Sequence, residues 1–220
     1  MQEYNKIETI FQRDTEGTKK LIPNLYRNAV VEYLHRLPWV WTEKVDGTNI
    51  RVHWDGHMVE YGGRTDRAQI PAALVSKLNE YFGGEKNAQL FEQEFGDKDV
   101  IIFGEGYGEK IQNGGNYMED GKGVDFTAFD VMINGRYQER ENVHGIVTMF
   151  GVKTVPIVDI GTLDDAIAYV KDHPASLLGK HRHDMEGLVC RPACEIMDRN
   201  GNRIIVKIKY EDLKDLQIFE

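Results

Sequence analysis

The chain has 220 residues, 41% of them hydrophobic, and a formal net charge of −9. That size suits one large domain, or one domain with a small appendage, and two cysteines are too few for a disulfide framework. The excess of 36 Asp and Glu over 27 Lys and Arg excludes a protein that grips nucleic acid through its overall field, so any such contact must come from a local basic patch.

Met1 to Lys6 carry mixed charge and no apolar core, which is not the pattern of a signal peptide. Apolar runs such as Val100–Phe103 are strand-sized, far short of the ~20 residues that cross a bilayer. The expectation is a soluble, cytoplasmic protein in which Cys190 and Cys194 are ordinary thiols. In chain order, Asp55-Gly56 separates Asn49–Trp54 from His57–Tyr61 and predicts a first antiparallel hairpin, because Asp-Gly and Asn-Gly tolerate positive φ. Ile70, Leu74, Leu78 and Tyr81 recur at helical steps with Pro71 near the start, which predicts a helix. Residues 87–95 and 139–150 are read as two more. Asn134-Gly135 after Phe126–Ile133 predicts a second hairpin. Thr162-Leu-Asp-Asp165 reads as an N-cap before Leu163, Ile167 and Val170, with Pro174 ending the run. Asn200-Gly201 before Arg203–Lys209 predicts a third pairing. There is no repeat and no long linker. The sum is an α+β plan of antiparallel strands with interspersed helices, read as a single domain over 1–220.

The most informative segment is Trp41-Thr-Glu-Lys-Val-Asp-Gly-Thr-Asn49. Lys44 sits in an otherwise apolar strand just before a glycine turn, where a lysine must reach water or be paired. It is either a strand-end cation beside Glu43 and Asp46 or a nucleophile. A nucleophilic lysine must lose its proton, and its reference pKa near 10.4 has to fall by about 3 units for that at neutral pH. Burial, nearby cations or a divalent metal can achieve this. The nucleophile reading therefore requires further basic residues, and carboxylates able to hold a metal, elsewhere in the chain.

Such residues are present. Arg64 follows the first hairpin in Tyr61-Gly-Gly-Arg-Thr65. Glu105 lies in Phe103-Gly-Glu-Gly-Tyr-Gly108, where the glycines are expected to leave its carboxylate space against a ligand. Phe129-Asp130 lies in a strand, and Glu186 heads the apolar run Gly187-Leu-Val189. Lys207 and Lys209 stand two apart, which puts both on one strand face with Val206 and Ile208 on the other.

In this order the motifs resemble those of the covalent nucleotidyltransferases, the polynucleotide ligases and mRNA capping enzymes. The resemblance rests on Lys44-Val-Asp-Gly47, Phe103-Gly-Glu-Gly106, Phe126 to Asp130, Glu186-Gly-Leu-Val189 and Lys207-Ile-Lys209, and runs from about residue 37 to 210. Gly47-Thr-Asn49 is most similar to the RNA ligase 2 group, although phage members of that group often carry histidine where Asp46 stands. The resemblance implies a nucleotidyltransferase fold with antiparallel sheets and flanking helices around a nucleotide cleft. It implies an ATP-dependent RNA ligase that forms lysyl-AMP at Lys44, passes AMP to a 5′-phosphate end and seals that end to a 3′-OH. By motif position, Glu43 is expected at the adenine amino edge, Phe129 on the adenine ring and Glu105 on the ribose hydroxyl. Arg64, Lys207 and Lys209 are expected on phosphate. Asn49 is expected to position the nucleotide or the 3′-OH end, and Asp46 belongs to the catalytic motif. Glu186 is expected to orient Mg²⁺ or Mn²⁺, with Asp130 as helper.

Only Tyr210 to Glu220 follow the last motif, too few for a domain, so the expectation is either a minimal form without the oligonucleotide-binding or helical domain that ligases and capping enzymes add, or a fragment. A helper protein for end binding is a possible partner. The rival readings are a capping-type guanylyltransferase using GTP, a non-catalytic module that binds nucleotide or RNA ends, and a DNA ligase. Three minor features complete the reading. Lys180-His-Arg-His183 is a solvated or phosphate-contacting loop, His53 and His57 flank a turn, and Trp39, Trp41 and Trp54 pack the core or brace the nucleotide pocket.

Overall fold

The computed structural model describes residues 1–180 and 182–216. In chain order the elements begin with β1 (Glu8–Thr9), β2 (Phe11–Arg13), β3 (Leu21–Tyr26), α1 (Ala29–Leu34) and β4 (Trp39–Glu43). Then come β5 (Thr48–Trp54), β6 (Val59–Gly62), α2 (Ala72–Phe82), α3 (Gly84–Phe95), β7 (Val100–Gly108) and a single 3₁₀ turn (Gly114–Tyr117). They continue with β8 (Val124–Ile133), β9 (Arg136–Tyr137), α4 (Arg140–Met149), β10 (Lys153–Thr154) and β11 (Ile157–Gly161). The last are α5 (Leu163–Lys171), β12 (Gly187–Pro192), β13 (Val206–Lys209) and the short α6 (Tyr210–Leu213). The chain divides into two compact units, one of residues 1–5 and 46–155 and the other of 6–45 and 156–220. No helix among the described residues is long and apolar enough to cross a membrane.

The 46–155 unit is built on one sheet of order β10-β8-β7-β5-β6, with β9 paired to β8. Alternation along β5 and β7 gives it two faces. Ile50, Val52, Val100 and Ile102 point to one core, which α2, α3 and α4 cover with Leu74, Leu78, Phe82, Phe91 and Val147. Each of these side chains contributes roughly 2 kcal/mol of burial. The expected helix over 70–81 is α2, started by Pro71, and Leu74, Leu78 and Phe82 are its buried stripe. Trp54 stacks on Phe91 in the same core (5.3 Å, 12°).

The second unit is built on the sheet β1-β13-β12-β4-β11, with β2-β3 as a separate pair. Its core joins Ile10, Trp39, Trp41, Leu163, Ile167, Leu188, Val206 and Ile208. Helix α5 carries the full capping box at Thr162 and Asp165. Helix α1 was not legible from periodicity. It begins at Asn28, whose side chain accepts from Val31 N, and six residues are too few to show a helical stripe.

The hairpin signals fared differently. Asn134 and Gly135 both have positive φ (48° and 75°) and join Ile133 to Arg136 directly, as a type I′ turn requires. Asp55-Gly56 does join an antiparallel pair, β5 and β6, but through the four residues between Trp54 and Val59. Asp55 accepts from His57 N and Met58 N there, which stabilises the wider loop. The third signal is corrected: Asn200-Gly201 closes only an isolated bridge, Met197 to Arg203. Here β13 starts at Val206 and pairs with β12 and, in parallel, with β1. That pairing and the parallel β10·β8 pair depart from an all-antiparallel plan. Both involve two-residue strands, too short to leave a pattern in the sequence.

Candidate active site

In the second unit, three neighbouring strands bring the lysines and their carboxylate together. Strand β12 lies between β4 and β13, with Leu188 opposite Glu43 and Gly187 opposite Lys209. Lys44 follows β4 directly, and its N–H donates to Gly187 O (2.9 Å). Glu186 enters β12 and is held at its carbonyl by Tyr210 N (3.0 Å). The Tyr210 ring stacks flat on His173 (3.6 Å, 6°). Gly187 is needed at this crossing, because a Cβ there would lie 2.0 Å from Ile208 O.

The Glu186 carboxylate bridges two lysines. Lys44 Nζ donates to Oε2 at 2.6 Å and Lys209 Nζ to Oε1 at 2.8 Å. The Lys44 side chain is 24% exposed, so its amine is partly buried yet open to a ligand. Lys207 and Lys209 share the open face of β13 while Val206 and Ile208 are buried, as their alternation predicts. Burial pulls the Lys207 pKa below its usual value, and the charges of Lys44, Lys209 and Lys6 pull the same way. Lys44, Lys207 and Lys209 gather positive charge here in an acidic chain, with Glu186 paired to two of them and Asp212 offsetting part of it at Lys207.

The lowered Lys207 pKa has a sign that can be tested. Its native-state ammonium carries a penalty that is fully present below the folded pKa. The penalty is relieved as pH rises from there to the unfolded value of 10.5. The expected result is that Lys207→Met melts at a higher temperature than the wild type at pH 7 without nucleotide, and that this advantage narrows as pH rises toward 10.5. Thermal melts across that range check it.

Glu43, expected at the adenine amino edge, is engaged by the protein itself. It is 1% exposed. Its Oε1 accepts from Ser176 Oγ (2.5 Å), and Oε2 accepts from Leu177 N (2.9 Å) and Leu178 N (3.0 Å). Ser176 Oγ also accepts from Gly179 N. The carboxylate thus clamps the segment after Pro174. Ser176 and its neighbours carried no sequence signal. In the basic run beyond them, His181 lies outside the described residues, and Lys180 and Arg182 are exposed.

In the 46–155 unit, Asn49, Glu105, Phe129 and Asp130 lie on the neighbouring strands β5, β7 and β8. Asn49 is paired with Glu105, and Glu105 with Thr127. Asn49 Oδ1 is buried and has no hydrogen-bond partner, a buried acceptor in want of a donor. Phe129 is the extra residue of a β-bulge, since Phe103 pairs with Asp130 and Gly104 with Ala128. It packs edge-on against Tyr4 (5.0 Å, 69°), whose hydroxyl donates to Asp130 Oδ2 (2.6 Å). Asp46 is fixed at both ends of the residue: its N–H donates to Tyr117 Oη, and its carboxylate accepts from Asn113 Nδ2.

The reason given for the glycines around Glu105 is corrected. Side chains at 104 and 106 would point away from Glu105, toward the core. Cβ atoms there would lie 2.3 Å from the Phe126 ring and from Leu74. They are small because the core ring and α2 pack against the strand, and the ligand side is unaffected.

Arg64 is exposed, two residues past β6. Arg51, which no motif includes, braces its loop from within the sheet. Among the described residues no three His, Cys, Asp or Glu side chains form a metal-binding group. His53 pairs instead with Asp99 (2.5 Å). One partly exposed carboxylate among lysines, as at Glu186, still suits Mg²⁺ or Mn²⁺, which keep waters and take phosphate oxygens as further ligands. Trp39, Trp41 and Trp54 are all core residues.

The RNA ligase family model matches residues 37–209. Two Naegleria gruberi RNA ligase structures with ATP and Mn match with TM-scores of 0.59 and 0.61, at 22% and 20% identity. The first alignment covers 84% of this chain and 54% of that one, the second 94% and 62%. A third structure, of Naegleria gruberi RNA ligase with PPi, matches with a TM-score of 0.60 at 19% identity, over 97% of this chain and 64% of that one. No curated protein matches. The fold is the α+β fold of the RNA ligase nucleotidyltransferases. The chain belongs to the RNA ligase family, and it spans less than two thirds of the length of these ligases.

Proposed function

We propose that this protein is an ATP-dependent RNA ligase that forms lysyl-AMP at Lys44. The observation that carries the reading is the Glu186 carboxylate with Lys44 on one oxygen and Lys209 on the other. In the reaction, Lys44 Nζ attacks the α-phosphorus of ATP. A P–N bond forms, the bond to the bridging oxygen breaks, and pyrophosphate leaves with that electron pair. Glu186 Oε2 accepts the hydrogen bond of the resting Lys44 ammonium, whose proton is lost before the amine attacks. Lys207 and Lys209 compensate charge on the phosphates, the main task that phosphoryl transfer sets a protein. A divalent ion held by Glu186 would add charge compensation at the α-phosphate. Phe129, Glu105 and Asn49 are assigned to the adenosine, Arg64 to phosphate, and Asp46 to holding its motif in place. The buried acceptor of Asn49 supports its part.

After adenylylation, AMP moves to a 5′-phosphate RNA end, and a 3′-OH displaces it to seal the strand. We assign adenylylation and the sealing of an end already carrying AMP to this chain. Transfer of AMP to an ordinary 5′-phosphate is assigned as slow, or aided by a partner. The net charge of −9, which grips RNA poorly, supports that division. The test compares sealing of a 5′-phosphate RNA nick with sealing of a pre-adenylylated one. The pre-adenylylated nick is expected to seal at least about tenfold faster, a difference of ~1.4 kcal/mol in barrier, and equal rates defeat the division. A nucleotide panel read by intact mass separates the rivals, since a GMP adduct marks a capping-type enzyme and no adduct marks a binding module.

A further inference from the structure

Arg51 lies on β5 and is 0% exposed. Its Nε donates to Gly63 O (2.7 Å), its Nη2 to Asp66 Oδ1 (2.9 Å) and its Nη1 to Met1 O (2.9 Å). Gly62 stands opposite Arg51 in the register, and a Cβ there would lie 3.1 Å from Nη2. The missing side chain leaves the guanidinium its path across β6. Gly62 thus gives passage to the guanidinium, while Gly63, whose carbonyl receives Nε, is small because a Cβ there would lie 2.7 Å from Ala68 Cβ.

A buried guanidinium is costly unless its donors are engaged. Here two of its three partners sit one residue before and two residues after Arg64. The three acceptors are met from three separate nitrogens of one planar group, a spread that a lysine, with all its donors on a single nitrogen, cannot reproduce. Asp66, the charged partner, is itself 71% exposed, so the loop's own groups neutralise a charge in the interior.

We propose that Arg51 is a positioning residue for nucleotide phosphate: it holds the Gly63–Asp66 loop in the conformation that presents Arg64. The inference rests on Arg64 binding phosphate. The experiment measures lysyl-AMP formation against ATP concentration, with melting temperature alongside, for wild type, Arg51→Lys, Arg64→Ala and the double variant. Arg51→Lys is expected to raise the KM for ATP about tenfold, the effect of one charge-assisted contact, with kcat nearly unchanged. The double variant is expected to be no worse than Arg64→Ala alone. An unchanged KM in Arg51→Lys, or losses that multiply in the double variant, overturn the inference while the Arg64 reading stands. An unchanged KM in Arg64→Ala overturns that reading and this inference with it. Should Arg51→Lys fail to fold, Asp66→Asn removes only the exposed partner. It should raise KM less, and an effect that persists in the Arg64→Ala background overturns the proposal.

Discussion

Replacing Lys44 by alanine is expected to reduce adduct formation from ATP by at least about 10³-fold, because no other group replaces a deleted nucleophile. The fold should hardly notice. Glu186 keeps Lys209 at 2.8 Å, so the variant does not strand its carboxylate without a cation, and the melting temperature is expected to shift by only a few degrees. The same variant should still seal an RNA end that already carries AMP, since the amine has no part once the nucleotide has left it. Gel-based sealing of pre-adenylylated and 5′-phosphate nicks checks both halves. Loss of both activities would mean that Lys44 shapes the site and is more than a carrier of AMP.

Glu43→Ala should behave in the opposite way, with its largest effect on stability. It leaves Ser176 Oγ, Leu177 N and Leu178 N without the carboxylate they donate to. Hydrogen bonds to a buried charge, and donors stranded by its removal, together account for a loss of about 3–5 kcal/mol. The melting temperature should fall by roughly 6–20 °C. Were Glu43 chiefly an adenine contact, the variant would melt near the wild type and show only a raised KM for ATP. Melting curves with and without ATP separate the two.

These two neighbours illustrate what the sequence discloses. Lys44 was legible because a lone lysine in an apolar strand demands partners, and Glu186, Lys207 and Lys209 occur at strand ends in the required order. Period two placed Lys207 and Lys209 on one face correctly, since alternation is a local property. The clamp at Glu43 was not legible because its partners, more than 130 residues away in sequence, carry no motif. Arg51 escaped notice for a similar reason. A polar residue at every second position of β5 reads as a solvated face, and only the fold shows that the guanidinium is wholly buried against Gly63 and Met1. The glycines flanking Glu105 were noticed for the wrong cause, because their neighbours Phe126 and Leu74 come from β8 and α2. Local signals thus gave α2, α5 and the Asn134-Gly135 turn. Short strands and buried polar braces depend on distant residues and needed the structure.

The most direct measurement is peptide mapping of the protein after incubation with ATP and Mg²⁺. The account predicts one AMP, released by acid as a phosphoramidate should be, on the peptide that contains Lys44. An AMP group on any other residue, or an unmodified Lys44 in protein shown to bind ATP, would contradict it.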